Sequence, residues 1–325
     1  MGFKVAGTGH YVPSDVITNE QLASIMDTNN EWIVSHTGIN TRHISLKGEN
    51  TSDLATNTAK IAIQKAGIDA SDIDLIIVST ITADNLTPAT AAIVQRNIGA
   101  TKAWAYDIST ACSGFVFAMS TADKFLSSGQ YKTALIISAE VNSKMMDFKD
   151  RTSTVFFGDG AGAAILIADD YKTLKAEDLN TNGDDQAIHS GHTNPLTEIS
   201  ATNYPSNDAF FQDGRKVFEF ATNVVPKHML DFLRGQDLTP DDIDYFIVHQ
   251  ANLRIIEAIA KFINQPMEKF VVNVNEYGNT SSAGIAMGFD QLNSRVDLSG
   301  KRLMLTGFGA GISYGSLLLE INDAN

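Results

Sequence analysis

The chain has 325 residues, of which 43% are hydrophobic and 19% are charged, and this composition is typical of a soluble globular protein with one large domain or two smaller ones. Its formal net charge of −14 argues against general binding of nucleic acid or anionic membranes, so an anionic partner must meet a local basic patch. The single cysteine excludes an internal disulfide and a multi-cysteine metal site, and we predict no metal.

The first residues, MGFKVAGTGHYVP, have no long apolar core and no cleavage-site pattern, so we predict no signal peptide. No apolar run in the chain reaches the roughly 20 residues that a membrane-spanning helix needs. These patterns predict a cytoplasmic location, a reduced thiol and no insertion into a membrane.

Helix-like and strand-like segments alternate along the chain. The first half contains a helix (TSDLATNTAKIAIQKAG), a buried strand (DLIIVST), a second helix (PATAAIVQRNIG), a second strand (AWAYDI), a buried helix after Cys112 and two closing strands. The second half repeats this order with KVFEFATNVVPKHMLDFLRG, DYFIVHQ, LRIIEAIAKFIN, FVVNVN, a buried helix after Ser282 and two closing strands. This alternation predicts an α/β fold in which helices cover the sheets.

A constant offset relates the two halves. Asp74 in IDASDIDLIIVST matches Asp244 in LTPDDIDYFIVHQ, a separation of 244 − 74 = 170 residues, and the same offset carries Cys112 onto Ser282. One offset that holds over some seventy residues indicates an internal duplication. Two such units arranged as a pseudo-dimer would bring their equivalent loops face to face.

We place the two halves at residues 1–170 and 171–325, and we interpret the polar segment from about Ala176 to Arg215 as their connection.

Two glycine-rich runs occupy matching positions in the halves. GDGAGAA resembles a dinucleotide fingerprint but precedes a strand instead of opening a helix, so we predict no nucleotide site there. GFGAGISYG also joins two strands, and it is either a tight hairpin or backbone brought close to a substrate.

The only cysteine lies in DISTACSGFVFAM, between a predicted strand and a predicted helix. Free N–H groups and a partial positive charge at the helix N-terminus favour a thiolate, so we expect the pKa of Cys112 to fall below its usual value of about 8.5. The Cys112 N–H is also placed to face an oxyanion. The alternative is that Cys112 is a small buried hydrophobic residue, which is the usual role of a free cysteine.

Two other loops favour the chemical interpretation of the cysteine. His249 ends the strand-like run YFIVHQAN, and Asn279 lies in NEYGNTSSAG, the half-repeat equivalent of the cysteine turn. Taken alone, His249 is as often a structural histidine as a functional one, and Asn279 is most often only a turn residue. The repeat places all three in loops at the same end of equivalent strands, where sheet proteins present their chemistry. A nucleophile with two hydrogen-bond donors suits acyl-thioester chemistry.

With the motifs TACSGF, FFGDGAGAAIL, VHQANLRII, YGNTSSAGI, GFGAGISYG and EWIVSHTGI, the whole chain resembles the 3-oxoacyl-acyl-carrier-protein synthase III group of condensing enzymes. The resemblance implies a thiolase-like, internally duplicated fold with two mixed sheets between helical layers (αβαβα). It also implies a homodimer that condenses an acyl-CoA primer with malonyl-acyl carrier protein to give 3-oxoacyl-acyl carrier protein, CoA and carbon dioxide, initiating fatty acid synthesis. CoA thioesters are substrates in this family, and no cofactor is implied.

The resemblance assigns roles to the loop residues. Cys112 takes the acyl group as a thioester, and the N–H groups of Cys112 and Ala310 form the oxyanion hole. His249 and Asn279 bind the malonyl thioester carbonyl and stabilise the enolate left by decarboxylation. Phe308 crowds the malonyl carboxylate with apolar surface.

The resemblance also implies a site for CoA. Trp32 and Arg151 would hold the adenine between them, an arrangement that stacking and cation–π attraction favour. Thr28 would bond to the base and Asn252 to the pantetheine arm. His36 belongs to the same site, at a position where relatives often carry arginine.

Three residues are assigned to the primer pocket by the same resemblance: Thr87, Phe157 and Phe218. Thr87 would reach across the homodimer interface to the floor of the partner's pocket, where some relatives carry phenylalanine. Because threonine is smaller, we expect a deeper pocket. From the residues alone, Thr87 is predicted to be a helix N-cap with Pro88 as the first helical position.

Carrier-protein docking is assigned to the helix LRIIEAIAKFIN. Its Arg254 and Lys261 are seven residues apart and therefore share one helical face. The alternative is an ordinary solvated basic face. Glu219, at a position where lysine is common in relatives, weakens the expected basic patch.

Alternative functions are separated by particular features. A cysteine protease has the same order of Cys, His and Asn, but TACSGF lacks the residues that surround such a nucleophile and the internal repeat has no place in it. An acyltransferase of the same fold would pass the acyl group to a hydroxyl or amine without decarboxylation. An acyl-CoA-binding protein without catalysis is disfavoured because Cys112, His249 and Asn279 are all present.

Overall fold

The structure is a computed structural model of the chain, and it describes residues 1–191 and 209–322. Within these residues the helices are α1 (Asn19–Ala23), α2 (Asn30–Thr37), α3 (Thr51–Ala66), α4 (Thr90–Ile98), α5 (Gly114–Ser127), α6 (Gly214–Glu219), α7 (Val225–Arg234), α8 (Leu253–Phe262), α9 (Val274–Tyr277) and α10 (Ala283–Asn293). The strands are β1 (Gly2–Tyr11), β2 (Val16–Thr18), β3 (Thr41–His43), β4 (Leu75–Ser79), β5 (Trp104–Ile108), β6 (Thr133–Glu140), β7 (Gly160–Asp169), β8 (Leu174–Asp184), β9 (Ile188–His189), β10 (Phe211–Gln212), β11 (Tyr245–Val248), β12 (Arg302–Gly309) and β13 (Gly311–Glu320).

Two mixed sheets form the frame of the molecule. The first has the order β1-β7-β6-β4-β5, with β4 parallel to β5 and β6 and with β7 antiparallel to β1 and β6. The second has the order β11-β12-β13-β8, with β11 parallel to β12 and the other pairs antiparallel. The first sheet uses residues 2–169 and the second uses residues 174–320, and we propose that the halves meet at residue 170.

The sheets enclose a helical layer and are covered by two more. Helices α5 and α10 lie between the sheets, where Phe115 of α5 and Phe289 of α10 share one buried cluster with Leu166 of β7 and Leu305 of β12. Helices α3 and α4 cover the first sheet, and α7 and α8 cover the second. This five-layer arrangement confirms the predicted αβαβα thiolase-like fold.

The second half departs from the predicted order at FVVNVN. Instead of a strand there is one parallel bridge, between Phe246 and Phe270, followed by α9. The side chain of Gln250 replaces the missing ladder, because its Oε1 accepts the N–H groups of Asn273 at 2.9 Å and Val274 at 3.3 Å. Buried backbone groups satisfied in this way do not need a neighbouring strand.

Two further expectations about local structure are wrong. The supposed connection from Ala176 onwards begins as strand, since β8 pairs with β13 as far as Asp184; residues 192–208 of that segment lie outside the described residues. Thr87 is not a helix cap. Helix α4 begins at Thr90, and the carboxylate of Asp107 in β5 accepts the N–H groups of Thr90 and Ala91, both at 2.7 Å.

Candidate active site

Cys112 lies in a 3₁₀ turn, Ala111–Ser113, that links β5 to α5. The turn starts with Ala111 in the left-handed region at φ 47°, and Cys112 is partly exposed. The end of β12 presses against this turn, because a Cβ placed on Gly309 would lie only 2.7 Å from the Cys112 nitrogen. Glycine at 309 therefore allows the hairpin that contains Ala310 to approach the nucleophile.

The ionisation of the thiol differs from the sequence-based expectation. The structure places Cys112 just before a helix, as predicted, yet burial raises the pKa of its thiol to about 12. A hydrogen bond with Ser281 lowers this pKa, and the nearby negative charge of Glu140 raises it further. The prediction of a lowered pKa was wrong because desolvation outweighs the positive end of the helix.

His249 follows β11, and its backbone N–H donates to the Thr306 carbonyl at 2.9 Å. Its ring meets Phe308 edge-on, with centroids 5.0 Å apart and planes at 81°. Burial lowers the pKa of His249 to about 3, and its Nδ1 has no partner among the described residues. The imidazole is therefore neutral at physiological pH, and it suits a hydrogen-bond donor better than a base.

Asn279 is held by its backbone and by one side of its amide. Its N–H donates to the Phe156 carbonyl at 2.7 Å, and its own carbonyl accepts the N–H of Gly158 at 3.1 Å. Its Oδ1 accepts the N–H of Ser281 at 2.8 Å. With Oδ1 occupied, the Nδ2 group is left as the hydrogen-bond donor of this side chain.

Ser281 joins the two sides of the site, although the sequence analysis did not single it out. Its N–H bonds to Asn279, and its Oγ lies 3.4 Å from Sγ of Cys112. Ser281 adopts φ 54°, close to the 47° of Ala111. The separation 281 − 111 = 170 equals the repeat offset, so the duplication contained the signal that identifies this position.

A cleft of about 240 Å³ leads from Asn279 towards the surface. Its lining includes Trp32, His36, Phe218 and Asn252, which the sequence analysis had assigned to two different sites. Asn252 caps α8 by accepting the Ile255 N–H at 2.9 Å.

Around Trp32 the predicted CoA residues are close together. The Trp32 and His36 rings stack with centroids 4.5 Å apart, and the Arg151 guanidinium carbon lies 5.4 Å from the Trp32 ring centroid. Arg151 also donates to the Asp27 carbonyl at 2.7 Å. Thr28 Oγ1 is buried and has no partner among the described residues. A buried hydroxyl of this kind fits a position that bonds to a ligand.

The three primer-pocket residues have different surroundings. Phe157 is buried and pairs with Asn279 through an isolated bridge, and its ring packs on Phe210 at 4.8 Å. Phe218 is 44% exposed and lines the cleft described above. Thr87 lies on an exposed loop.

The two docking residues differ in their surroundings. Arg254 donates through Nε to the Ser35 carbonyl at 3.0 Å and through Nη1 to Glu257 at 2.9 Å. Lys261 is exposed. Arg254 therefore ties α8 to α2, the helix that contains Trp32 and His36.

Within residues 1–191 and 209–322, no helix is both long enough and apolar enough to cross a membrane. The same residues contain no cluster of three or more histidine, cysteine, aspartate or glutamate side chains arranged to bind a metal.

The chain matches two family models. The model described as 3-oxoacyl-[acyl-carrier-protein] synthase III covers residues 106–183, and the model for the C-terminal part of the same synthase covers residues 233–321. These ranges contain Cys112 in the first match and His249 and Asn279 in the second.

Individual relatives match over the whole length. The beta-ketoacyl-[acyl-carrier-protein] synthase III 1 of Lactiplantibacillus plantarum is 56% identical over 98% of both chains, and the enzyme of Streptococcus mutans is 44% identical over 98% of this chain and 99% of that one. The crystal structure of 3-oxoacyl-[acyl-carrier-protein] synthase III from Aquifex aeolicus superposes with a TM-score of 0.89 at 36% identity, covering 98% of this chain and all of that one. The chain therefore belongs to the 3-oxoacyl-[acyl-carrier-protein] synthase III family and is a condensing acyltransferase with the thiolase fold.

Proposed function

We propose that the protein initiates fatty acid synthesis by condensing an acyl group from acyl-CoA with malonyl-acyl carrier protein, with Cys112 as nucleophile. The observation that carries this proposal is the linked arrangement of the three loops. Ser281 joins Cys112 to Asn279, and the Phe308–Gly309 segment joins the ring of His249 to the backbone of Cys112. CoA is a substrate in this scheme, and a cytoplasmic location stays a prediction.

In the first step, Cys112 Sγ attacks the carbonyl carbon of the acyl thioester. A new carbon–sulfur bond forms, the bond to the CoA sulfur breaks, and the thiol proton leaves with CoA as its thiol. The negative charge on the carbonyl oxygen needs donors that are already in place. The close approach of Gly309, the neighbour of Ala310, to the Cys112 nitrogen supports the N–H groups of Cys112 and Ala310 as that pair.

In the second step, the malonyl thioester of malonyl-acyl carrier protein occupies the cleft that Trp32, Asn252 and Asn279 line. The bond to its carboxylate breaks, carbon dioxide leaves, and the electron pair remains as an enolate whose oxygen accepts hydrogen bonds from His249 and Asn279. The carbanion attacks the acyl-cysteine carbonyl, and Cys112 leaves and regains a proton. Buried Phe308, in contact with the His249 ring, gives the carboxylate an apolar neighbour that favours its departure.

The neutral state of His249 favours decarboxylation over the alternative acyltransferase. Passing an acyl group to a hydroxyl or amine requires a base that removes a proton from the acceptor. A histidine whose pKa is lowered to about 3 by burial is a weak base at neutral pH. It remains an effective N–H donor for an enolate oxygen.

An intact-mass experiment tests the proposal directly. The protein is mixed with acetyl-, butyryl- and branched acyl-CoA, and then with malonyl-acyl carrier protein. We expect a mass increase equal to one acyl group on Cys112, followed by its loss as 3-oxoacyl-acyl carrier protein appears. Acylation that is discharged onto a hydroxyl or amine without release of carbon dioxide would favour the alternative acyltransferase.

We also propose a homodimer formed along β5. Within the described residues this strand is hydrogen-bonded only on the β4 side, so its other edge is open. Trp104 in β5 is 39% exposed and Leu86 is 94% exposed, and α4 begins beside β5 because Asp107 caps it. An open strand edge with exposed apolar side chains is suited to pairing with a second copy.

The dimer proposal gives Thr87 a testable role. Thr87 follows Leu86 on the loop beside the open edge, so in the dimer it would face the partner. We expect Thr87→Phe to shift primer preference towards acetyl-CoA, because each buried methylene contributes about 0.8 kcal/mol and phenylalanine would fill that space. The measurement is competition between acetyl- and butyryl-CoA for Cys112. An unchanged product ratio would remove Thr87 from the pocket.

Docking of the carrier protein is tested by comparing two charge reversals on α8. Lys261→Glu should raise the KM for malonyl-acyl carrier protein and leave the KM for acyl-CoA unchanged, since Lys261 is exposed and an acidic carrier helix would meet repulsion. Arg254→Glu should raise both values, because Arg254 also holds the α2 backbone. Equal effects of Lys261→Glu on both substrates would exclude docking here.

A further inference from the structure

Glu140 is a fully buried carboxylate that the proposed mechanism does not use. It ends β6, and both of its oxygens accept hydrogen bonds. Oε1 accepts from Ser282 Oγ at 2.8 Å, and Oε2 accepts from Thr82 Oγ1 at 2.7 Å, Ile81 N at 3.1 Å and Thr80 Oγ1 at 3.1 Å. The backbone N–H of Ile81 is an obligate donor to this carboxyl group, and the three hydroxyl groups can each donate to it, so the surroundings can satisfy Glu140 in its ionised form.

Glu140 is connected to the Cys112 turn through Ser282. Ser282 directly follows Ser281, whose hydroxyl lies 3.4 Å from the Cys112 sulfur. Ser282 also supports the start of α5, because a Cβ placed on Gly114 would lie 3.1 Å from the Ser282 Cβ. One hydrogen bond from Ser282 to Glu140 therefore fixes both a neighbour of the thiol and the helix that follows it.

The two halves differ at the position of Glu140: the first half has this carboxylate and the second half has an alanine. The repeat offset pairs Glu140 with Ala310, since 310 − 140 = 170. In the second half, the backbone beside Ala310 meets the Cys112 turn; in the first half, the Glu140 side chain meets the equivalent turn at Ser282. The contact of Gly309 with the Cys112 turn and the hydrogen bond of Glu140 with Ser282 therefore come from opposite halves of the chain, and both support the region around the nucleophile.

We propose that Glu140 is a positioning residue for Cys112: its carboxylate, acting through Ser282, holds the Ser281 turn and the start of α5 in the geometry that acyl transfer to Cys112 requires. The proposal rests on the acyl transfer described under the proposed function. It assigns Glu140 no contact with the substrate.

The charge of Glu140 affects a measurable quantity, the pKa of Cys112, which a purely structural packing role would leave unchanged. Burial raises the pKa of Glu140 to about 7, and the negative charge of Glu140 acts on two titratable neighbours. It adds to the burial that raises the pKa of Cys112, and it opposes the burial that lowers the pKa of Lys144. Asp84 and Asp159 face Lys144 as well. Removing the Glu140 charge takes away a repulsion that opposes the thiolate, so the pKa of Cys112 should fall.

The test compares Glu140→Gln with the parent in two assays. Acyl uptake from acyl-CoA, followed by intact mass, should slow on the order of 10- to 100-fold, because reacting groups that are slightly misplaced lose rate steeply. Alkylation of Cys112 by iodoacetamide, followed against pH, should show its midpoint at lower pH than in the parent. The small reagent needs a thiolate but no precise orientation, so the two assays move in opposite directions.

Glu177→Gln is the matched control. Glu177 also accepts a serine hydroxyl, Ser120 Oγ at 2.7 Å, and it pairs with Lys124 at 2.7 Å on the flank of α5. We expect parent-like behaviour of this variant in both assays.

Ser282→Ala tests the route of the effect and remains informative if Glu140→Gln unfolds. This variant should slow acyl uptake similarly, and the double variant should be no slower than either single one, since both break the same link. The Glu140 proposal is overturned if Glu140→Gln takes up acyl groups at the parent rate, if its alkylation profile matches the parent, or if the two penalties add. Failure of the parent to become acylated would instead overturn the proposed function.

Discussion

Cys112→Ala abolishes acyl uptake from acyl-CoA and leaves the fold intact. The chain has no other cysteine, and the substitution removes one sulfur atom, which lies 3.4 Å from Ser281 Oγ. A typical point substitution lowers the free energy of unfolding by about 1 kcal/mol, which leaves the fold intact. The measurement is intact mass after incubation with an acyl-CoA panel, together with a thermal unfolding midpoint close to the parent value.

The same variant separates catalysis from binding. If it still binds acyl-CoA, a thermal shift will appear without any mass change, and the cleft at Trp32 and Asn252 accounts for that binding. Acylated protein in the mutant would show that the nucleophile lies elsewhere and would contradict the assignment.

His249→Ala and Asn279→Ala retain acyl transfer to Cys112 but lose decarboxylation of the malonyl thioester. Removing one donor to a developing oxyanion lowers the rate on the order of 10²–10³-fold. The measurement is release of carbon dioxide from malonyl-acyl carrier protein, beside the rate of acylation. Release at the parent rate in both variants would contradict the roles and would favour the acyltransferase that does not decarboxylate.

The two variants are expected to differ in the first step. Asn279 Oδ1 holds the N–H of Ser281, the residue in contact with the thiol, so Asn279→Ala should also slow acylation. His249→Ala should not, because the ring contacts Phe308 rather than the cysteine turn. His228→Ala is a matched control: His228 is a largely buried histidine that bonds to Ser316 Oγ at 3.1 Å.

The duplicated fold was predictable because its signals are local and repeated. The alternation of apolar runs and the offset of 170 residues are visible in the sequence, and the offset also predicts that the loops with Cys112, His249 and Asn279 lie at equivalent strand ends. Ser281, which belongs to the loop of Asn279, contacts Cys112 at the position that the offset pairs with Ala111. Each of these inferences needs only the order of the elements.

The errors arise where a distant side chain replaces a local partner. Thr87 has the sequence pattern of a helix cap, but Asp107, from the neighbouring strand, caps the helix instead. Gln250 satisfies the backbone where a strand was predicted. The pKa of Cys112 depends on burial and on Glu140, and neither is visible in the residues that flank the cysteine.

The position of α5 and α10 between the sheets has a consequence for the order of folding during synthesis. Helix α10 packs on β7 and β1 of the first sheet so closely that a Cβ on Gly162 would lie 2.5 Å from the Ala286 Cβ. Helix α5 covers part of the inner face of the first sheet, but the cover over β7 and β1 stays incomplete until a segment more than a hundred residues further along has left the ribosome. We expect the emerging first half to remain an uncommitted, protease-sensitive chain that chaperones can bind, and the nucleophile turn to form only when translation is nearly complete.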